Sequence, residues 1–337
     1  MKIAIIADPF IPIPPLNYGG IERIIHFLIV GLKERGHEVI LIAHADSEVD
    51  IPLIKYKNQN TRLATLQNIL TINKLKNFKP DVIHSFGRLI NLLPFLSSSI
   101  PKIMSYQREP TLSQIKKAIL ISKKQTLSFT GCSDYISNQI KPFATAETVY
   151  NGFPIHTYDP KFDFKEDAPL VFLGRIEYIK GTHIAIEIAQ KTNKKLIIAG
   201  NIPPDGEQYF NEKIKPFLSG EIEYIGPVND IEKNTLLGNA LAFLMPIQWN
   251  EPFGIVMAEA MACGTPVIGF SKGSVPEVVE DNVTGFVCTT TDEMVLAIGK
   301  LDSINRETVW KTAMRRFSSD SIVSEYLKLY EARINKN

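Results

Sequence analysis

Cysteine is scarce here. Cys132, Cys263 and Cys288 are three in 337 residues, odd in number, far apart and without a CxxC pair or a Cys/His cluster. That spacing argues against a disulfide framework or a zinc site and suits small buried thiols in a reducing compartment. Long apolar runs are missing too. No stretch approaches the roughly 20 residues that cross a bilayer, and Ile24–Leu32 is broken by His26 and followed by Lys33. The start, Met1-Lys2-Ile3-Ala4-Ile5-Ile6-Ala7-Asp8, has five apolar residues before an acid, too few for a signal peptide and right for a buried first strand. No Asp-x-Asp motif is present; Asp46-Ser47-Glu48 resembles one only in outline, and no metal is expected. Low-complexity tracts and short repeats are also absent.

What remains is an ordinary globular composition, 45% hydrophobic and 22% charged, in a chain long enough for two cores. Net charge is +1, unevenly spread. Residues 1–150 carry 18 Lys and Arg against 11 Asp and Glu, an excess of +7, and residues 151–337 carry −6. Two readings stay open: scatter between domains, or a first half that meets something anionic, an acidic acceptor or a membrane surface. Strands and helices alternate throughout, as parallel sheets covered on both faces require. Lys2–Ala7, Glu38–Ala43, Asp81–His84, Lys102–Ser105, Thr126–Cys132 and Thr145–Val149 read as strands. Helices are expected at Gly20–Arg35, Arg62–Phe78 and, with Lys116, Lys117, Lys123 and Lys124 among isoleucines, around Thr111–Thr126. The stretch 151–169 lacks periodicity and reads as a linker. Alternation then resumes with strands at Leu170–Leu173, Leu196–Ala199, Ile222–Ile225, Ala242–Met245, Pro266–Gly269 and Gly285–Cys288. It ends in an amphipathic helix, Ser319–Arg333, with Ile322, Val323, Tyr326, Leu327 and Tyr330 on one face.

Three segments carry chemistry. Tyr18-Gly19-Gly20-Ile21-Glu22 stands between the first strand and helix, where paired glycines serve either a tight turn or a close approach to an anion. In Phe172–Gly181, Arg175 lies at a strand tip and Lys180 precedes a helix; a planar fork and a point charge together suit a diphosphate. In Asn250–Pro266, Glu251 stands in a turn and Glu259 eight positions on in an apolar helix. A buried carboxylate needs partners, which a ribose diol would supply. Glu251 could meet a sugar hydroxyl, with the amides at Gly254–Val256 on the phosphates. The plainer reading has Glu251 capping the helix and Glu259 paired internally. Among the histidines, His26 and His37 read as structural, and His84, at a strand end, is open to either a ligand or a structural role.

In this order and spacing, the GGxE, FxGRxxxxKG and Glu-x7-Glu motifs resemble glycosyltransferase family 4 across essentially the whole chain. The resemblance implies the GT-B fold, two Rossmann-like α/β domains facing each other across a cleft. They are drawn here as 1–160 on the acceptor side, 161–316 for the donor, and a helix, 317–337, crossing back to the first domain. It implies a retaining, metal-independent transferase that moves a sugar from a UDP- or GDP-sugar to an acceptor hydroxyl without a cofactor. Arg175, Lys180 and Glu251 would carry catalysis. Gly19, Gly20, Gly174, Gly200, Val228, Lys233, Pro252, Phe253, Gly254, Ile255 and Glu259 would bind the donor, Gly226–Lys233 forming the base-binding loop. Tyr18, Arg88, Tyr106, Gln107 and Arg108 would meet the acceptor, a glycan, a lipid-linked sugar or a small molecule; nucleic acid is not expected. Gln107 stands where many family members have histidine, so a role that needs imidazole is in doubt. The competing functions are a GT-B nucleotide-sugar epimerase and a non-catalytic nucleotide-sugar-binding subunit. A cytoplasmic location follows, with peripheral contact at the inner face of a membrane left open.

Overall fold

The computed structural model describes residues 1–336 except 16–18, 58–61, 164 and 166. The chain divides into two compact units, Met1–Asn151 with Ser319–Asn337, and Gly152–Ser318.

In the first unit, β1 (Lys2–Ile6), α1 (Gly20–Glu34), β2 (Glu38–Ala43), β3 (Leu53–Lys55), α2 (Arg62–Asn73), β4 (Val82–Ser85), β5 (Lys102–Tyr106), α3 (Leu112–Ile121), β6 (Leu127–Gly131), α4 (Asp134–Ile140) and β7 (Ala146–Thr148) follow in turn. The seven strands form one sheet in the order β3-β2-β1-β4-β5-β6-β7, with every pairing parallel. β1 is buried from Ile3 onward because helices cover both faces, which is why its sequence shows no alternation. Ile3 pairs with Val39 on one side and Val82 on the other. The chain thus turns outward in opposite directions from β1 and β4, leaving their carboxyl ends as the point where ligands of such sheets bind.

The second unit repeats the scheme. β8 (Leu170–Leu173), α5 (Thr182–Thr192), β9 (Leu196–Ala199), α6 (Glu207–Lys213), β10 (Ile222–Tyr224), α7 (Asp230–Gly238), β11 (Ala242–Met245), α8 (Ile255–Ala262), β12 (Val267–Phe270), α9 (Val275–Val278), β13 (Gly285–Cys288), α10 (Thr291–Ile298) and α11 (Arg306–Phe317) follow in sequence. The parallel sheet runs β10-β9-β8-β11-β12-β13, with its reversal between β8 and β11. α11 is anchored by the buried Arg306, which donates to the Ala240 carbonyl at 2.9 Å and to Thr265 Oγ1 at 2.6 Å. The last helix, α12 (Ser319–Ile334), belongs to the first unit.

Several elements differ from the sequence reading, each for a physical reason. α3 stops at Ile121, so Lys123 and Lys124 lie beyond it; the Ser122 amide closes the helix on the Ala118 carbonyl. β3 is a three-residue edge strand, too short to show a pattern. The stretch read as linker holds two anchors, Phe153 and Tyr158, both buried and meeting edge to face at 5.8 Å. In α12 the buried face is Ile322, Val323, Tyr326, Leu329, Tyr330 and Arg333, with Leu329 in place of Leu327. At 3.6 residues per turn, position 329 lies about two turns after 322 and one after 326, on the same face, whereas 327 does not.

Candidate active site

The second unit gathers the motif residues at its strand tips. Gly174 follows β8 directly, its amide donating to the Ala199 carbonyl at 3.0 Å, and Arg175 comes next, pairing with Glu177 at 2.9 Å. A single turn, Tyr178–Lys180, then leads into α5 through Gly181 at φ 78°. A Cβ at Gly181 would lie 2.0 Å from the Pro246 carbonyl oxygen, so only glycine lets this loop settle on the segment after β11. The Gln248 amide donates to the Ile179 carbonyl at 2.8 Å and seals the contact.

That docking delivers Lys180 to Glu251. The Lys180 ammonium donates to Glu251 Oε2 at 2.7 Å and stands 4.8 Å from the Trp249 ring centroid, while Trp249 Nε1 donates to the same Oε2 at 3.1 Å. Indole face and indole N–H together hold both members of the pair. Glu251 is buried, and its carbonyl accepts from the Ser274 amide at 2.9 Å. Pro252 and Phe253 follow; Phe253 packs edge to face on Phe317 at 5.6 Å. α8 then starts at Gly254 and Ile255 with no side chain capping it, so its first-turn amides are not taken up by a side-chain cap.

Glu259, on α8, is partnered internally. Its Oε1 accepts from Lys233 at 2.5 Å and from the Tyr158 hydroxyl at 2.6 Å, and Lys233 also reaches Asp230 at 3.3 Å. Burial first, then the Glu259 charge, raises the Tyr158 pKa far above the ordinary range, so its hydroxyl stays a donor. Burial, again with Glu259 adding, pushes the Cys263 thiol up to about 12, which removes it as a nucleophile. Lys233 gets there because Asn229 and Glu232 form a capping box that fixes the start of α7, with Val228 just ahead of it. Gly200, at the tip of β9, accepts from the Tyr224 hydroxyl at 2.8 Å and donates to the Gly226 carbonyl at 2.8 Å.

In the first unit, Tyr18 lies outside the described residues. Gly19 and Gly20 open α1; a Cβ at Gly19 would sit 2.6 Å from Pro15 Cβ, so the turn itself requires the small residue. Arg88, Tyr106, Gln107 and Arg108 line one cavity of about 670 Å³. Arg108 approaches Asp8 at 3.6 Å and not the neighbouring Glu109, which takes the Tyr135 hydroxyl. Burial raises the pKa of Asp8, with Arg108 and Arg88 opposing. Gln107 Oε1 accepts from Asn151 at 2.6 Å, leaving Gln107 Nε2 and Asn151 Oδ1 buried without partners. His84 is fully buried, bonded to Tyr330 and Ser105 at 2.6 Å each and held near pKa 3 by that burial; its role is structural. Among the described residues no group of three or more His, Cys, Asp or Glu side chains is gathered as a metal would need.

The sequence did not point to Trp249 or Tyr158. Trp249 had a signal, as one of only two tryptophans, two positions before Glu251. Tyr158 had none, because its partner lies 101 positions away.

A family model described as glycosyl transferases group 1 matches residues 156–309, and one described as glycosyltransferase family 4 matches 18–109. The chain is a family 4 glycosyltransferase. Its fold is GT-B, two parallel-sheet α/β domains. The glycogen synthase of Mycobacterium tuberculosis is 24% identical over 347 residues, covering 84% of this chain and 82% of its own. A glycosyltransferase from Rickettsia africae superposes with a TM-score of 0.80 at 19% identity, covering 100% of this chain and 99% of that one. Anabaena HepE in complex with UDP-glucose superposes with a TM-score of 0.76 at 17% identity, covering 98% and 100%.

Proposed function

We propose that this transferase takes a UDP- or GDP-sugar as donor, retains the anomeric configuration and works without a metal ion. The observation that carries the reading is the Lys180–Glu251 pair, held by Trp249 beside the start of α8. An incoming diphosphate competes with Glu251 for the ammonium. Once phosphate oxygens hold Lys180, the Glu251 carboxylate is released to accept from a hydroxyl of the transferred sugar. Arg175 adds a second cation at the β8 tip, and the α8 amides add dipoles of the same sign. In the reaction the acceptor oxygen bonds to the anomeric carbon as the bond from that carbon to the phosphate oxygen breaks. The leaving phosphate takes the acceptor's proton on the same face. Glu259, placed by Lys233 and Tyr158, faces the ribose, with Val228 and Gly200 near the base, and the first unit takes the acceptor. HepE, a structural neighbour in complex with UDP-glucose, supports a nucleotide sugar as the donor class.

A panel of UDP-, GDP- and ADP-sugars, read first as shifts in melting temperature and then by product analysis, tests this. A UDP- or GDP-sugar is expected to raise the melting temperature and to yield a new glycoside with the donor's anomeric configuration. An inverted product, or an epimerised free nucleotide sugar, would overturn the mechanism.

A further inference from the structure

The cavity of the first unit is built from two chemistries. It lies where the tip of β5, the turns at Leu89–Phe95 and α3 meet. Part of its lining is apolar: Leu89, Leu93, Leu96, Met104, Ala118 and Ile121. These residues run out into solvent: Leu93 is 42% exposed, Ile121 58%, and Leu120 beside it 84%. Arg88, Arg108 and Lys117 line the cavity as well. Two carboxylates stand near these three cations: Glu109, engaged by Tyr135, and Asp8, 3.6 Å from Arg108 and close enough to Arg88 to be influenced by it. Arg108 is two-thirds exposed, and Lys117 forms no ion pair among the described residues. In the same lining, Gln107 Nε2 is a buried donor with no acceptor.

A polyol would leave the apolar wall wet and the cations unanswered. Inorganic phosphate would answer the cations and leave the wall. A buried donor beside an excess of positive charge and an open aliphatic face fits an anion that carries its own hydrocarbon. We propose that this cavity binds the phosphate head and the first chain carbons of a phosphorylated lipid, and that this lipid is the acceptor. The inference rests on the transferase reading above and names the class of its acceptor. Arg88, Arg108, Lys117 and the Gln107 amide meet the phosphate, while Leu93 and Ile121 cover the chain. α3, with Lys116 and Lys117 on it and Lys123 and Lys124 just beyond, then lies against the anionic surface that holds the lipid.

The test is flotation of the full chain with vesicles of phosphatidylcholine alone and with about one-third phosphatidic acid mixed in. In parallel, melting temperature is followed with dioctanoyl phosphatidic acid and with glycerol 3-phosphate. Binding is expected only to the acidic vesicles, and a stabilising shift only from the dioctanoyl lipid. Lys117→Gln should weaken vesicle binding by about fivefold, the effect of one basic residue at an anionic surface. Ile121→Ser, which changes no charge, should weaken it as well. Melting of both variants near the wild-type temperature shows that they fold. Equal shifts from glycerol 3-phosphate and the lipid would overturn the proposal in favour of a soluble phosphate ester. Equal binding to neutral vesicles, or unchanged binding by both variants, would overturn it outright. If a UDP- or GDP-sugar still raises the melting temperature in that event, the acceptor class alone has failed. If none does, the donor reading has failed as well.

Discussion

Lys180 neutralises Glu251 in the resting site, and in the proposed mechanism the same ammonium would stabilise a leaving diphosphate during transfer. Lys180→Ala removes a charge contact of about 3 kcal/mol in the transition state and is expected to slow turnover roughly a hundredfold. Steady-state kcat at saturating donor checks this; near-normal turnover would remove Lys180 from the mechanism. The two glutamates should separate. Glu251→Gln is expected to damage transfer while leaving nucleotide binding nearly intact, because a neutral amide accepts more weakly from the sugar. Glu259→Ala should weaken nucleotide binding itself, and it also strands Lys233 and the Tyr158 hydroxyl. Calorimetric titration of UDP and GDP into both variants distinguishes them; equal losses would show that the division of roles is wrong. At this scale the sequence was legible wherever chemistry and chain position coincide. Arg175, Lys180, Glu251 and Glu259 stand out as charges among glycines and apolar residues. The groups that hold them were harder to see. For Glu259 the sequence left a ribose and an internal partner both open; Tyr158 and Lys233 supply the partner through contacts that no local pattern records.

His84 shows what an element can require of one residue. It lies on β4, and its two ring nitrogens bond Tyr330 of α12 and Ser105 of β5 at 2.6 Å each. Ser105 in turn meets Thr130 of β6 at 2.5 Å and Tyr326 of α12 at 3.3 Å. This ladder fixes α12 on the sheet, with Arg333 bonding Ser128 at 3.1 Å one turn further on. Burial holds the His84 pKa near 3, against 6.5 in an exposed histidine. Above pH 6.5 both folded and unfolded states are neutral here, and the contribution to stability is complete. As pH falls from 6.5 toward 3, only the unfolded state takes up the proton, so stability is lost, with a limiting slope of about 1.4 kcal/mol per pH unit. His84→Gln cannot take up that proton. Its urea unfolding free energy should therefore fall less steeply than the wild type's between pH 6 and about 4. Parallel slopes would mean that His84 titrates in the fold. The helices and central strands were legible from periodicity and apolar runs. β3 and the end of α3 were not, since three residues cannot display a period and a helix end depends on which carbonyl the next amide finds.

Across the whole molecule the two halves differ in charge, +7 in residues 1–150 and −6 after them. The residues proposed to bind the donor nevertheless include three cations of the more acidic half, Arg175, Lys180 and Lys233. With cations and helix amides supplied by the protein, transfer should survive EDTA unchanged. A loss restored by Mg²⁺ or Mn²⁺ would contradict this directly. The order of the segments has a further consequence for synthesis. The first unit is Met1–Asn151 completed by α12, and α12 follows the entire second unit in the sequence. On the ribosome, the sheet of the first unit emerges early and must wait, with His84 lacking Tyr330 and Ser105 lacking Tyr326, until the second unit has been translated. The second unit is one continuous segment, Gly152–Ser318, whose residues are all made before α12. The part of the molecule made first is therefore the last to be finished, and in the interval its exposed apolar floor is where a chaperone would bind.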